Sequence, residues 1–563
     1  MKEDLYDPLE TVYAGLDRQG RVAGVWTGEP AAVAAWASAQ GLARLRPLTY
    51  PVPVALAEEL VAAVRRRLKS GGGGGREVED LASLARQELR HRGLPARVRL
   101  EERGVAGEGL PPAGLREALR ATLLGKRLLA AEVLRFRPAG EALFPEAVSL
   151  ALGFLRLSGE IESEAAVGRD GDGAWRCRRC GSARIQEAPC ANCGDPACPV
   201  CPDCALLGEA RACRRLYFLP DRRPCPEVMA PAGAATGERP LTAAQRRAAG
   251  ALLAWLCDPG APAEALLWAV CGAGKTAVVR PVVEQALASG WRVLYASPRR
   301  QVIRQVASEL PRGGLTLATA HQALRHQEAF DLMVLDEPDA YPYRGNSLLR
   351  AGVRRAAKAG ARWLYLTATP DPELLARVES GAVHRVLLPR RFHGHPAPVP
   401  RLLTPTGWPG EETRRQGIPL LAAEVIAARL EQVNRRFLVF TPTVALCHRS
   451  RAELARRLPV PVGAVDAGSP EREELVSAFR RGDLRVLVST SVLERGVTFP
   501  FVDVVVLYAD HPLFDQVSLL QMAGRAGRTP DDPAGEVWFV AGEVTPEMGA
   551  AREWVQALNE AAG

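Results

Sequence analysis

Four side chains within 63 residues have the types and spacing to bind and split a nucleoside triphosphate. Lys275 and Thr276 follow a short glycine-containing turn in WAVCGAGKTAVV (268–279), and Asp336 and Glu337 close the apolar run DLMVLDE (331–337). A strand that ends in such a turn and opens a helix at Lys-Thr is the context a phosphate-binding loop requires. The turn Gly272, Ala273, Gly274 would offer inward N–H groups, and Lys275, Thr276 and Ala277 would lie at the positive end of a helix. Lys275 would neutralise the β- and γ-phosphates and Thr276 would ligate magnesium. Asp336 would hold Mg2+ mostly through water. Glu337 would orient and deprotonate the attacking water. Ala269 stands where this motif ordinarily has its first glycine. Gln245, behind the helix-capping Thr242 in LTAAQ, stands where an adenine-reading glutamine often precedes a phosphate loop.

Further along, LTATP (366–370), STSVLERGVTFP (489–500) and QMAGRAGR (521–528) narrow the chemistry. Gln521, Arg525 and Arg528 lie in a QxxGRxxR segment that follows a buried strand. Arg525 and Arg528 would reach across a cleft to the γ-phosphate, so that closure depends on ATP. A nucleic-acid grip would come from strand ends rich in hydroxyls and arginines. Its candidates are Ser297, Arg299, Thr319, His321, Thr441, Thr490 and Arg495, suited to a phosphate backbone read without its bases. His321 fits a sensing or a packing role.

Nine of the 12 cysteines fall between Cys177 and Cys225. Cys177-x-x-Cys180, Cys190-x-x-Cys193 and Cys201-x-x-Cys204 are three knuckles, and two knuckles complete a closed tetrahedral Zn2+ site. Cys198, Cys213 and Cys225 are candidates to complete a second. Clustering of this kind reads as metal binding rather than as a disulfide framework.

The elements that must position these groups repeat. Nine short apolar runs, from ALLWAV (265–270) to EVWFVAG (536–542), alternate with helical stretches. Strands apolar along their whole length belong to parallel sheets covered on both faces. The expected fold is therefore α/β, with two tandem RecA-like doubly wound domains at 240–395 and 396–545 and a terminal helix at 546–563. A cysteine-rich module at 175–225 precedes them, and 1–170 forms a mixed N-terminal domain. Within it, Thr11 to Trp26 alternates like a hairpin, Gly71 to Gly75 reads as a linker, and helical patterns run over 115–134 and 144–157. A small winged-helix-like element is one reading of this region; a scaffold or partner-docking domain is the other.

Lys plus Arg exceeds Asp plus Glu by 72 − 64, a net charge of +8. That modest basic balance suits a polyanion but does not require one. No window reaches the roughly 18 apolar residues of a membrane span, and MKEDLYDPLE lacks the features of a signal peptide. The expectation is a cytoplasmic protein.

Together WAVCGAGKT, LATAHQALR (317–325), DEPDAYPY, RRFHGHPAPVPR (390–401), STSVLERGVTFP, PLFDQVSLLQMAGRAGR and the cysteine block resemble the late competence family ComFA, within helicase superfamily 2. The resemblance spans about residues 145–545. Pro338, where the family usually has Val, and the additional Cys198 are departures; the second leaves the zinc pairing open. The resemblance implies an ATP-dependent translocase stimulated by single-stranded DNA. It would drive transforming DNA across the inner membrane with ComFC and the channel ComEC, at the inner face of the membrane. A PriA-like replication-restart helicase is the alternative enzyme, although that family usually has its cysteines within the second half of the motor. A DNA-binding adaptor without motor activity is the alternative outside enzymes, and the intact ATP-site residues argue against it.

Overall fold

The computed structural model describes residues 10–16, 22–28, 30–40, 42, 44–49, 52–70, 78–91, 103–104, 110–136, 144–228, 241–298, 300–310, 313–340, 343–405, 417–431, 435–494, 499–530 and 532–560. The glycine run 71–75, Arg299 and Arg495 lie outside them.

The nine apolar runs are strands, and they fall into two six-stranded sheets. The first has the order Leu315–Thr319, Val293–Ser297, Phe330–Asp336, Ala357–Thr367, Glu264–Ala269, Val383–Leu388. Its ladders from Glu264–Ala269 to both neighbours are parallel. The second runs Arg401–Leu403, Val537–Val540, Val502–Leu507, Arg436–Phe440, Val486–Ser489, Val462–Val465, parallel throughout. Phe330–Asp336 is buried at every position, as expected of a strand covered on both faces. Two strands intervene between Glu264–Ala269 and Val293–Ser297 in the first sheet, and two between Arg401–Leu403 and Arg436–Phe440 in the second, so the order reverses within each sheet and helices cross over both faces. This is the tandem RecA-like architecture.

The N-terminal part is antiparallel. Thr11–Leu16 and Val22–Gly28 form the expected hairpin and continue into Arg44–Pro47 and Arg103–Gly104. The helical pattern over 144–157 is the helix Pro145–Leu157. The pattern over 115–134 is not one helix. Ala113–Leu123 ends, Gly125 turns at φ +70, Arg127–Leu129 is a strand, and Ala130–Arg135 is a second helix. The strand is drawn out by Arg215–Phe218, which pairs with it and with Glu162–Ala165. The cysteine block is thus an excursion between two strands of one small sheet.

The chain divides into two compact units. The second holds Pro226–Leu317, Leu332–Tyr341 and Arg362–Gly563. The first holds Met1–Cys225 together with Ala318–Asp331 and Pro342–Ala361, the segments that flank the acidic motif. Buried charge fastens these segments to the N-terminal part. Lys358 Nζ lies 3.0 Å from Asp331 and 3.3 Å from Asp221, and all three side chains are at most 6% exposed. Asp331 and Lys358 sit near the starts of the strands that carry the acidic and LTATP motifs. Removing the ammonium leaves two buried carboxylates facing each other, and breaking a buried ion pair from one side costs about 3–5 kcal/mol. Lys358→Met is expected to lower the first thermal unfolding transition. An unchanged transition would show that the triad contributes nothing net.

Candidate ATP site and cysteine tetrads

The phosphate loop sits between the end of the strand Glu264–Ala269 and the helix Lys275–Ala288. Gly272 and Gly274 have φ of +85° and +79°, a conformation that favours glycine. A Cβ on Gly274 would lie 2.6 Å from the Gln245 amide nitrogen. That amide donates to Ala273 O at 2.9 Å, and Gln245 Oε1 accepts from Thr242 N at 3.0 Å. Both ends of the Gln245 side chain thereby brace the loop and cap the helix Ala243–Cys257.

Lys275 Nζ lies 3.4 Å from Asp336 Oδ1, and Tyr295 donates its hydroxyl to Asp336 Oδ2 at 3.0 Å. Burial pushes the Asp336 carboxyl up against the pull of Lys275. Burial pulls the Lys275 ammonium down, but Asp336 and Glu337 outweigh it and hold it above its ordinary value. Glu337 adopts φ +55°, with its N–H bonded to Leu366 O at 2.9 Å. Such a backbone conformation in a non-glycine residue stores strain of about 1–3 kcal/mol, a feature that clusters at functional sites.

Asp339 joins the acidic motif to LTATP. Its buried carboxylate accepts from Thr367 Oγ1 at 2.5 Å and Thr369 Oγ1 at 2.8 Å. The QxxGRxxR turn also meets the loop: Cys271 Sγ lies 3.4 Å from Gln521 Oε1. A Cβ on Gly272 would lie 3.8 Å from Arg528 Cγ, so Arg528 flanks the phosphate loop. Arg525 is buried, with Nε donating to Glu494 O at 2.9 Å.

The cysteines form two interleaved tetrads, Cys177/Cys180/Cys201/Cys204 and Cys190/Cys193/Cys198/Cys213. Cys225 joins neither; its Sγ is 3.9 Å from Ala359 O. The sulfur pairs 177–204, 180–201 and 190–213 are each 3.6 Å apart. That is far beyond a disulfide bond and close to the edge of about 3.8 Å expected for four sulfurs 2.3 Å from one Zn2+. The first tetrad also sits among cations. Arg127 and Arg355 donate to Arg178 O, Arg355 also to Arg179 O, and Arg179 and Arg325 pair with Glu132. Burial pushes the Arg127 guanidinium down to about 9, helped by Arg355 and Arg179 and opposed by Cys177. A zinc ion with four thiolates carries a charge of about −2, which such a cluster offsets. The donor set fits zinc.

Three family models match: the AAA domain over residues 240–397, the helicase conserved C-terminal domain over 420–530, and the competence protein ComFA N-terminal domain over 114–218. Competence protein ComFA of Streptococcus pneumoniae is 32% identical over 409 residues, 69% of this chain and 91% of that protein. Competence protein ComFA of Bacillus subtilis is 34% identical over 347 residues, 58% of this chain and 74% of that protein. The chain belongs to the ComFA family. UvrABC system protein B of Chlamydia muridarum is 30% identical, over 33% of this chain and 26% of its own length. Among solved structures, S. cerevisiae Dbp5 bound to RNA and ADP BeF3 is 16% identical, with a TM-score of 0.40 over 57% of this chain and 88% of that one, a likeness too slight to build on. With both helicase halves matched, this ComFA family member is an ATPase of the helicase superfamily.

The expected grip residues differ in exposure. Ser297 and Thr441 are buried, and Thr441 Oγ1 turns to Thr443 O at 3.4 Å. Neither hydroxyl is presented at an outer surface. Thr490 and His321 are half-buried, and burial holds the His321 imidazole below its ordinary value. Thr319 caps the helix Ala320–Ala323 through Gln322 N at 3.3 Å. Sequence reasoning missed Asp339, Tyr295 and Arg391. Asp339 had a signal, a third carboxylate in DEPD opposite two hydroxyls in TAT.

Proposed function

We propose that this chain is an ATP-driven single-stranded-DNA translocase that powers uptake of transforming DNA in natural competence, working with ComFC and the membrane channel ComEC. The observation that carries the motor reading is the 3.4 Å approach of Lys275 to Asp336 in the same loop that Arg528 flanks. Lys275 and the loop amides of Gly272 to Ala277 bind the polyphosphate, and Glu337 orients the attacking water. Thr276 and Asp336 would hold Mg2+, which would supply charge neutralisation between the phosphates. Gln521 and Arg528 reach the nucleotide from the second motor domain, and Arg525 shapes the turn that carries them. Asp339, Thr367 and Thr369 pass the state of that site to the domain movement. Alternate closure and opening then move one grip past the other along the strand. The half-buried candidates Thr319, His321 and Thr490 contact the phosphate backbone. Each cysteine tetrad would hold one structural Zn2+ ion. Among the described residues no helix is long and apolar enough to cross a membrane.

ATP hydrolysis by the purified chain, measured alone and with single-stranded DNA, duplex DNA or single-stranded RNA, tests this reading. Stimulation by single-stranded DNA that vanishes in Lys275→Ala is expected. Hydrolysis indifferent to all three polymers would overturn the translocase reading.

A further inference from the structure

Between the two motor sheets the connector following Val383–Leu388 carries Arg390-Arg391-Phe392-His393. Arg391 is 3% exposed. Its Nη1 donates to Ala526 O at 2.6 Å and also to Gly527 O, while its Nε is buried without a hydrogen-bond partner. His393 Nε2 meets the same Gly527 O at 3.1 Å. Both acceptors lie between Arg525 and Arg528, so the connector is fastened to the arginine-bearing turn. It is fastened equally to the phosphate loop. Phe392 N donates to Gly272 O at 3.3 Å, and a Cβ on Gly272 would lie 3.8 Å from Cγ of both Arg391 and Arg528.

The charges here do not balance. Burial and the neighbouring Arg528 together hold the Arg391 guanidinium down to about 10. No carboxylate pairs with Arg391 among the described residues. A buried cation beside a second cation is costly unless an anion arrives, and the adjacent loop is built to hold a chain of phosphates.

We propose that Arg391 is a nucleotide-sensing residue of the ATP site: a polyphosphate in the loop offsets the Arg391–Arg528 repulsion, and Arg391 then locks turn 524–528 against that loop. Triphosphate occupancy thereby sets the position of Arg528 through a residue of the connector as well as through the second domain itself. The proposal rests on the ATPase reading.

The test uses the full chain with zinc and Mg2+. Wild type, Arg391→Met, Arg391→Lys and Lys275→Ala are compared for the rise in melting temperature given by a non-hydrolysable ATP analogue and by ADP, and for kcat and KM. In wild type the triphosphate analogue should raise the melting temperature more than ADP does. Arg391→Met should lose that difference and lower kcat about 10- to 100-fold, the range for losing charge-assisted hydrogen bonds. Arg391→Lys, which keeps the charge without the fork, should fall between. Without nucleotide, the loss of the bonds to Ala526 O and Gly527 O is offset by removal of a buried cation beside Arg528, so Arg391→Met should melt close to wild type; a merely structural arginine would lower it. Should Arg391→Met fold poorly, the Lys variant decides by the same difference. An Arg391 variant that keeps the wild-type triphosphate–diphosphate difference overturns the proposal. A wild type that neither hydrolyses ATP nor responds to the analogue overturns the ATPase reading beneath it.

Discussion

Arg528→Ala is expected to lower kcat for ATP hydrolysis by about 10³-fold while the chain stays folded. An arginine that meets the γ-phosphate from a second domain contributes about 10³- to 10⁵-fold to phosphoryl transfer. Arg528 has the placement for it. Its Cγ flanks Gly272 of the phosphate loop, and its Nε is steadied by Gly524 O at 2.8 Å. Arg525 predicts a different outcome, although sequence alone gives the two equal standing. It is 2% exposed and anchored to Glu494 O, so Arg525→Ala leaves a cavity and loses a buried charge-assisted hydrogen bond, at about 1.5–3 kcal/mol. Single-turnover hydrolysis and thermal melting, run on both variants, separate the roles. Arg528→Ala should lose rate without melting temperature, and Arg525→Ala should lose both. Equal loss of stability in the two would remove the distinction.

The contrast shows where sequence stops being legible. Strand, loop and carboxylates of the ATP site are local patterns, and nine apolar runs became nine strands at nearly the expected positions because fully buried parallel strands leave no polar alternation to misread. Three strands lie outside those runs: Val383–Leu388 is interrupted by His384 and Arg385, Val462–Val465 is only four residues long, and Arg401–Leu403 only three. The segment 115–134 reads as helical because LLGKRLL is apolar in either conformation. The strand Arg215–Phe218, distant in sequence, decides it, a tertiary effect that local propensity does not contain. Asp339 was within reach, since its partners Thr367 and Thr369 form part of a recognised motif. Arg391 was not, because burial of one arginine among several in RRFHGHP depends on how the connector lies against two loops.

The cysteines repeat the lesson and carry the other large effect. Spacing identifies each knuckle but not its partner. The structure joins the first knuckle to the third and gives the second to Cys198 and Cys213; Cys198 stands in CxxC spacing with Cys201 as well, so spacing alone leaves the partner of Cys201 open. Metal analysis of the purified chain is therefore expected to give two zinc ions. Cys204→Ala and Cys213→Ala should each remove one. Apparent zinc affinity in small structural sites amounts to about 10–16 kcal/mol of folding free energy at neutral pH, so either loss destabilises the N-terminal unit, but the consequences differ. The first tetrad holds the knuckle whose carbonyls, Arg178 O and Arg179 O, receive Arg127 and Arg355. Arg179 shares Glu132 with Arg325, directly after the helix led by Thr319 and His321. Loss of the first zinc should therefore weaken activation by single-stranded DNA, read as a higher DNA concentration for half-maximal hydrolysis, with hydrolysis in the absence of DNA less affected. The second tetrad has a smaller set of charged neighbours, with Arg211 beside it and Asn192 donating to Cys213 Sγ at 3.4 Å, so Cys213→Ala should cost stability with little change in activation. One zinc per chain in the wild type, or an unchanged zinc content in Cys213→Ala, would mean that the second tetrad is a cluster of packed thiols.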